Sequence, residues 1–226
     1  MSKIKNIPLI ILLILLISCN NQPSDNIKND FNIEELEYYV EIAFGSEFRK
    51  KNNPTALFWR NDIEVQLNRN YTQDDSLEVL RVIQELNLLI DPIEIKLVET
   101  GGNLNMYFDR TSTFKSFPTY VPGNFGYFKI ERIAFLPKAY ILVDMEQSII
   151  RRKHIIREEL TQVLGLTNDS YLYPESIFFQ GYSTITEYSE IDRQLIRLMY
   201  NYNLPYAMRK SEFIDFISTS KQNRPE

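Results

Sequence analysis

The chain has one cysteine and one histidine in 226 residues. A single cysteine excludes an internal disulfide and any multi-cysteine metal site. A single histidine, His154, excludes a site built from several imidazoles. Seven glycines and no low-complexity run leave little material for flexible linkers or repeats. Basic residues are in deficit: 25 Lys and Arg against 30 Asp and Glu give a formal charge of −5. Nucleic acid or anionic lipid as the main partner needs a basic face, which this balance does not provide. A long apolar run is also missing. The stretch from Ile7 to Ile17, interrupted only by Pro8, is short for a membrane span of roughly 20 residues.

What that N-terminal stretch has instead is the build of a signal peptide. Lys3 and Lys5 precede an apolar core, and Leu16-Ile17-Ser18-Cys19 places a branched residue and a small residue before the sole cysteine. This resembles the lipobox of bacterial lipoproteins. The resemblance implies cleavage after residue 18, lipid on Cys19 and a membrane as the partner reached through that lipid, since several acyl chains together give stable anchoring. Loss of Lys3 and Lys5 would shift the formal charge from −5 to −7. Asn20 stands where an aspartate would favour inner-membrane retention, so the expected location is the cell envelope, at the outer membrane. Residues 19–30 are polar and read as a tether. Residues 31–226 are enough for one domain with a real core.

Within that domain, Asn32 is placed to cap a helix running to about Ala43. Ile63, Val65 and Leu67 alternate with polar residues as in a half-buried strand. Thr72 and Asp75 make a capping box, opening a helix with Leu77, Leu80, Val82, Ile83, Leu86 and Leu89 as its apolar positions; Asp91-Pro92 ends it. Strands are predicted over 93–99, 103–108, 126–131 and 139–144, with a turn at Gly101-Gly102 and a loop over 109–125. Asp144 with Gln147 is placed to cap a long helix whose inward stripe is Ile149, Ile156, Leu160 and Val163, and Gly165 to terminate it. Ser189 and Asp192 form a further capping box before a helix to about Tyr200, and a weaker helix is predicted from Ser211. The order is that of an α+β fold.

The segment with chemical content runs from Glu158 to Asn168. It resembles the zinc-protease pattern H-E-x-x-H-x-x-G-x-x-H, with Glu159 at the general-base glutamate and Gly165 at the turning glycine. The three histidine positions hold Glu158, Gln162 and Asn168. Further on, Ser176-Ile177-Phe178-Phe179 is similar to the Met-turn of the matrixin branch of the metzincins, with Phe178 in the methionine's place. Tyr188-Ser189-Glu190-Ile191-Asp192 and Leu198-Met199-Tyr200 are similar to the bounds of that family's last helix. Asn103 to Phe108 is similar to one of its strands. Arg157 to Gln162, Leu164-Gly165-Leu166, Asn168-Asp169-Ser170 and Ser176 to Phe178 also resemble an uncharacterised family of bacterial lipoproteins grouped with the zincins. The resemblance spans roughly residues 30–210. It implies a zincin-like, metzincin-type mixed sheet with a long active-site-type helix and C-terminal helices.

The departures decide what chemistry is expected. Residues four apart share a helix face, so Glu158 and Gln162 should project together, with Asn168 delivered opposite them by the Gly165 turn. One carboxylate and two neutral amides are poor ligands for zinc, and structural zinc sites draw roughly 10–16 kcal/mol from proper donors. Without a metal, Glu159 has no means of lowering the pKa of a water from about 15.7 to near 7. No metal and no cofactor is therefore expected. The domain reads as a degenerate metalloprotease-like module that binds a peptide or envelope protein. The alternative is an envelope hydrolase with an unusual metal site.

Three options stay open for that alternative. His154, four residues before Glu158, could join a His-Glu-Gln ligand set; the plainer reading puts it on a solvated face beside Arg151, Arg152 and Lys153. Asp169 could replace Asn168 as a ligand, or cap the turn after Gly165. Glu159 and Asp192 could act as an acid–base pair, although the capping box alone explains Asp192. Tyr171, Tyr173, Phe178, Phe179, Tyr182 and Tyr188 would either pack the core or line a groove for an extended peptide.

Overall fold

In a computed structural model of the chain, residues 23–45, 54–115, 125–133 and 136–219 are described. Their elements, in chain order, are α1 (Pro23–Asp30), α2 (Ile33–Phe44), β1 (Thr55–Leu57), β2 (Ile63–Arg69), α3 (Gln73–Asn87), β3 (Ile95–Val98) and β4 (Leu104–Asp109). They continue with α4 (Thr111–Phe114), β5 (Gly126–Ile133), β6 (Leu136–Asp144), α5 (Ile149–Gln162), α6 (Glu190–Tyr200), β7 (Ala207–Arg209) and α7 (Lys210–Thr219). The signal peptide and Cys19 lie outside the described residues, as does most of the loop predicted over 109–125.

Five strands form one mixed sheet in the order β3-β2-β4-β6-β5. The first four are mutually parallel, and β5 runs antiparallel along β6 at one edge. The inward set is apolar and closed to solvent: Ile63, Val65, Ile95, Leu104, Met106, Phe108, Ala139, Ile141 and Val143. This two-residue periodicity follows directly from the strand's alternating side chains. The connection from β3 to β4 changes sides of β2 in only five residues, and Gly102 makes the crossing possible. A Cβ at Gly102 would lie 2.6 Å from the Glu64 carbonyl oxygen and 2.8 Å from Gln66 Cβ. Asn103 then stitches the crossing down, its Oδ1 accepting from Glu64 N at 2.8 Å and its Nδ2 donating to Asp62 O at 3.0 Å.

Helices α3 and α5 pack side by side against the inner face of this sheet. The remaining helices and the two-stranded β1–β7 sheet make a second layer of contacts, with α2 against α6 and α1 against α7. The α+β class expected from the sequence, with a mixed sheet, a long central helix and C-terminal helices, is the class observed. The two expected capping boxes form, and Asn32, expected only as a cap, makes a third. Asn32 pairs with Glu35, Thr72 with Asp75 and Ser189 with Asp192, each supplying the reciprocal bonds that satisfy orphan amides at a helix start.

Several expectations need correction. Residues 23–30, read as the end of a polar tether, form α1, and Ile27 is fully buried in the core. One apolar residue in a polar stretch is enough to dock a short helix when a hydrophobic cleft receives it. The α3 stripe is Val79, Val82, Ile83 and Leu86; Leu77 and Leu80 are 55% and 38% exposed. Ser148, not Asp144, caps α5, through a bond from Arg151 N. Asp144 closes β6 and accepts from Glu146 N and Gln147 Nε2. Ile149 is consequently at the exposed start of α5. The short strands β1 and β7 and helix α4 carry too few residues for a periodic signal and were not expected. Among the described residues no helix is long and apolar enough to cross a membrane.

Candidate functional site

Helix α5 runs through the middle of the fold, so most of its polar residues are buried and must find partners. On the side facing α3 they find carboxylates. Arg152 Nε donates to Asp75 Oδ1 at 2.9 Å. Arg157, with no exposed surface, donates to both oxygens of Glu85 at 2.7 and 3.1 Å and reaches Glu78 at 3.4 Å. Its guanidinium also lies 4.3 Å from the centre of the Tyr188 ring, and the Tyr188 hydroxyl meets Thr161 Oγ1 at 2.7 Å.

The C-terminal end of α5 is fixed by donors from remote parts of the chain. Trp59 Nε1 donates to Val163 O at 2.9 Å and Tyr200 Oη to Leu164 O at 2.8 Å, which satisfies carbonyls the helix itself leaves open. Gly165 has φ of +128°, a conformation L side chains rarely adopt, and its amide donates to Gln162 O at 2.9 Å. The chain therefore turns where the sequence places the turn.

After the turn, however, position 168 does not face the helix. Asn168 N donates to Ile42 O at 3.1 Å, which pins the segment to α2. The Asn168 side chain packs at Gly45, where a Cβ would come within 2.4 Å of its Cγ, and its Nδ2 donates to Asp169 O at 2.8 Å. The expectation that Asn168 confronts Glu158 and Gln162 is thus overturned, because the backbone bond to α2 sets the register. The residue brought to α5 is Asp169, whose Oδ1 accepts from Gln162 Nε2 at 2.6 Å. Its carboxylate thus meets the helix.

His154 is not on a solvated face. It is 1% exposed, with Nδ1 2.7 Å from Ile185 O and Nε2 3.4 Å from Glu158 Oε2. A carbonyl can only accept, so Nδ1 carries the hydrogen. Burial pushes the imidazole down to about 4; the Arg151 and Arg157 charges push the same way, and the Ile185 carbonyl opposes them. Asp192 is also remote from chemistry. Fully buried, it accepts from Ser176 Oγ at 2.6 Å, Ile177 N at 3.1 Å, Ser189 N at 2.9 Å and Ser189 Oγ at 2.8 Å. Burial raises its pKa, and the bonds from Ser176, Ser189 and Ile177 lower it. Its role is to clamp the 176–178 segment to the start of α6. Tyr38 Oη joins the same cluster through Ser176 Oγ at 3.0 Å. Phe178, at the Met-turn position, is fully buried and donates its amide to Ser176 Oγ at 3.1 Å.

What remains open is a cleft of about 280 Å³ between α5, the start of β5 and the segment from Asp169 to Tyr182. Its lining includes Arg151, Glu158, Glu159 and Gln162 of α5 and Asp169, Phe179, Gln180, Gly181 and Tyr182 of the segment that follows. Glu159 is 5% exposed and lies so close to β5 that a Cβ at Gly126 would come within 2.4 Å of its Oε1. Of the aromatic cluster, Phe178 and Tyr188 are core, Phe179 and Tyr182 line the cleft, and Tyr171 is exposed.

A zinc ion, which the protease resemblance implies, does not fit this donor set. Gln162 turns its amide nitrogen to Asp169, Asn168 is directed to α2, and Glu158 faces His154. Among the described residues no group of three or more His, Cys, Asp or Glu side chains is arranged to hold a metal. The sequence offered Asp169 only as a secondary option; the signal missed was the backbone register set by α2. It offered no sign of the Arg157 cluster, whose carboxylate partners Glu78 and Glu85 lie more than 70 residues away.

Two solved structures with similar folds are both of myroilysin. One, titled "Structure of Myroilysin", is 16% identical, with a TM-score of 0.40 over 63% of this chain and 82% of the other. The second, titled "Crystal structure of myroilysin", is 14% identical, with a TM-score of 0.43 over 71% of this chain and 95% of the other. No curated protein matches the chain. The model of the family described as "Protein of unknown function (DUF2927)" matches residues 33–219, and the chain belongs to that family.

Proposed function

We propose that this protein is a lipid-anchored component of the bacterial cell envelope, at the outer membrane, whose cleft binds a peptide or protein segment without metal-dependent hydrolysis. The observation that carries the reading is the bond from Gln162 Nε2 to Asp169 Oδ1 at 2.6 Å. It commits two side chains to each other at the place where a hydrolytic metal would need donors. Glu159 keeps the position of a general base, but nothing in this donor set activates a water for it. The cleft retains the features of a recognition groove: an outer strand on one side, exposed Tyr182 on the other and polar groups on its wall.

Anchoring rests on the sequence of residues 1–20: two lysines, an apolar core, and the Leu16-Ile17-Ser18-Cys19 segment. The acidic balance of the chain supports anchoring through acyl chains in preference to attraction by anionic headgroups.

Three measurements test the proposal. Palmitate labelling is expected in the wild-type protein and absent from Cys19→Ser; labelling that persists in the variant removes the anchor. Metal content of the protein purified without chelator or metal-affinity tag is expected to be well below one zinc per chain. One zinc per chain, together with a large loss of thermal stability in EDTA, overturns the non-catalytic reading in favour of a hydrolase. Binding to an array of extended peptides, weakened by Tyr182→Ala, is the expected positive result.

A further inference from the structure

Resting on the lipid anchor proposed above, we infer that the α1–α7 side of the domain lies against the bilayer, held there by a very short leash. A tether extended over residues 19–30 would reach about 40 Å, roughly the width of a domain of this size, and would let the domain turn freely. The fold removes most of that length. Pro23–Asp30 is helical, Ile27 is fully buried in the core, and α1 packs on α7. The end of α1 is fixed as well. The Phe31 ring meets Tyr202 edge-on at 5.3 Å, and Asp30 Oδ2 accepts from Tyr202 Oη at 2.8 Å.

The leash left between Cys19 and Pro23 is four residues long (23 − 19 = 4). Whatever its conformation, it spans at most about 14 Å. Acyl chains on Cys19 would lie in the bilayer and keep its backbone at the headgroups. The start of α1 then stands no more than about 14 Å above them, roughly a third of the domain's width. Sides of the domain remote from α1 cannot be turned to the membrane.

The charge on these helices identifies what holds them there. Together α1 and α7 carry Asp25, Asp30, Glu212 and Asp215 against Lys28 and Lys210. Anionic headgroups do not attract such a face. Exposed Ile214 on α7 offers too little apolar surface for stable insertion on its own. The leash supplies the association instead, because tethering at this range keeps the face at a high effective concentration beside the lipid. The cleft draws no described lining residue from α1 or α7, so the binding site and the lipid-facing side use separate residues.

The test uses the full lipidated chain in phosphatidylethanolamine–phosphatidylglycerol vesicles that contain a lipid spin-labelled at its headgroup. A thiol-reactive fluorophore is attached through Ile214→Cys or through Leu88→Cys, while the sulfur of Cys19 is taken up by lipid. Leu88, 86% exposed, ends α3, which packs on α5 and β3. Quenching is expected to be several-fold stronger at 214 than at 88. A Gly-Ser insertion of about 20 residues after Asn21, with a mean reach of about 25 Å, should bring the two close to equality. Palmitate labelling and flotation with the vesicles should persist in that variant. Equal quenching at both positions, in protein that is lipidated and floats, overturns this inference and leaves the anchor. Quenching at 214 that survives the insertion undiminished overturns the leash as its cause. Absence of palmitate and of flotation overturns the anchor and this inference together. Both labels replace exposed side chains and the insertion precedes α1, so the comparison does not disturb the core.

Discussion

The two sides of α5 carry similar residues and treat them differently. Toward α3, Arg152 and Arg157 are buried and closed by Asp75, Glu78 and Glu85 into ion pairs. Toward β5, Glu158, Glu159 and Gln162 border a cavity. Composition does not distinguish these sides, since both read as a polar helix surface. The difference lies in what the fold places opposite: acidic positions of α3 on one side, an edge strand and a loop on the other. Charges closed by the chain's own partners are architecture. Charges set around a cavity border space that the fold leaves open.

The strongest way to break this comparison is to remove a charge from the closed side. Arg157→Met should destabilise the protein by about 3–5 kcal/mol, because Glu78 and Glu85 would be left facing an apolar side chain at low exposure. Glu159→Gln, across the helix, should cost less than about 1 kcal/mol. Urea unfolding of both variants measures the difference. Equal losses would mean that the cavity side is as structural as the α3 side.

A second test uses the histidine between the two sides. The folded imidazole titrates near 4, against 6.5 for an unperturbed one. Between those values the unfolded chain binds more protons than the folded one, so stability must fall as pH drops from about 6.5 toward 4. The two values set an upper limit of about 3 kcal/mol at 1.36 kcal/mol per unit. Glu158 at 3.4 Å favours the charged ring and reduces this. His154→Gln should remove most of the slope in that window while carboxylate titration persists below it. A slope that is unchanged in the variant would place the acid sensitivity elsewhere.

How far the sequence reaches is visible in the same helix. The capping boxes at Asn32, Thr72 and Ser189, the alternation of β2 and the turn at Gly165 are local, and each is legible from a few adjacent residues. Tertiary partners are not. The burial of His154 depends on Ile185, and that of Arg157 on α3. Asn168 faces away because Ile42, over 120 residues earlier, accepts its amide hydrogen. Helical spacing places Glu158 and Gln162 on one face but says nothing about which residue after a turn will meet them. Ile27 docks on a core that only the folded chain provides.

Metal grafting tests which residue after the Gly165 turn meets α5. Two three-histidine variants share Glu158→His and Gln162→His; one adds Asn168→His, the other Asp169→His. A zinc site needs all three nitrogens at about 2.0–2.1 Å from one point, and misplacement beyond roughly 0.5 Å weakens it. Position 168 is held to α2 by its backbone bond to Ile42 and by the contact at Gly45, so an imidazole there starts on the wrong side of the turn. Position 169 already delivers an oxygen to Gln162 Nε2 at 2.6 Å, so an imidazole there starts within reach. Calorimetric zinc titration should therefore show the Asp169→His combination binding at least about ten-fold tighter, close to 1.4 kcal/mol. The margin is smaller than a fully built site would give, since neither variant has a designed set of outer hydrogen bonds to orient the rings. If the Asn168→His combination binds as tightly or more tightly, the segment after Gly165 can rotate toward α5, and the division between a closed and an open side of the helix fails at that point.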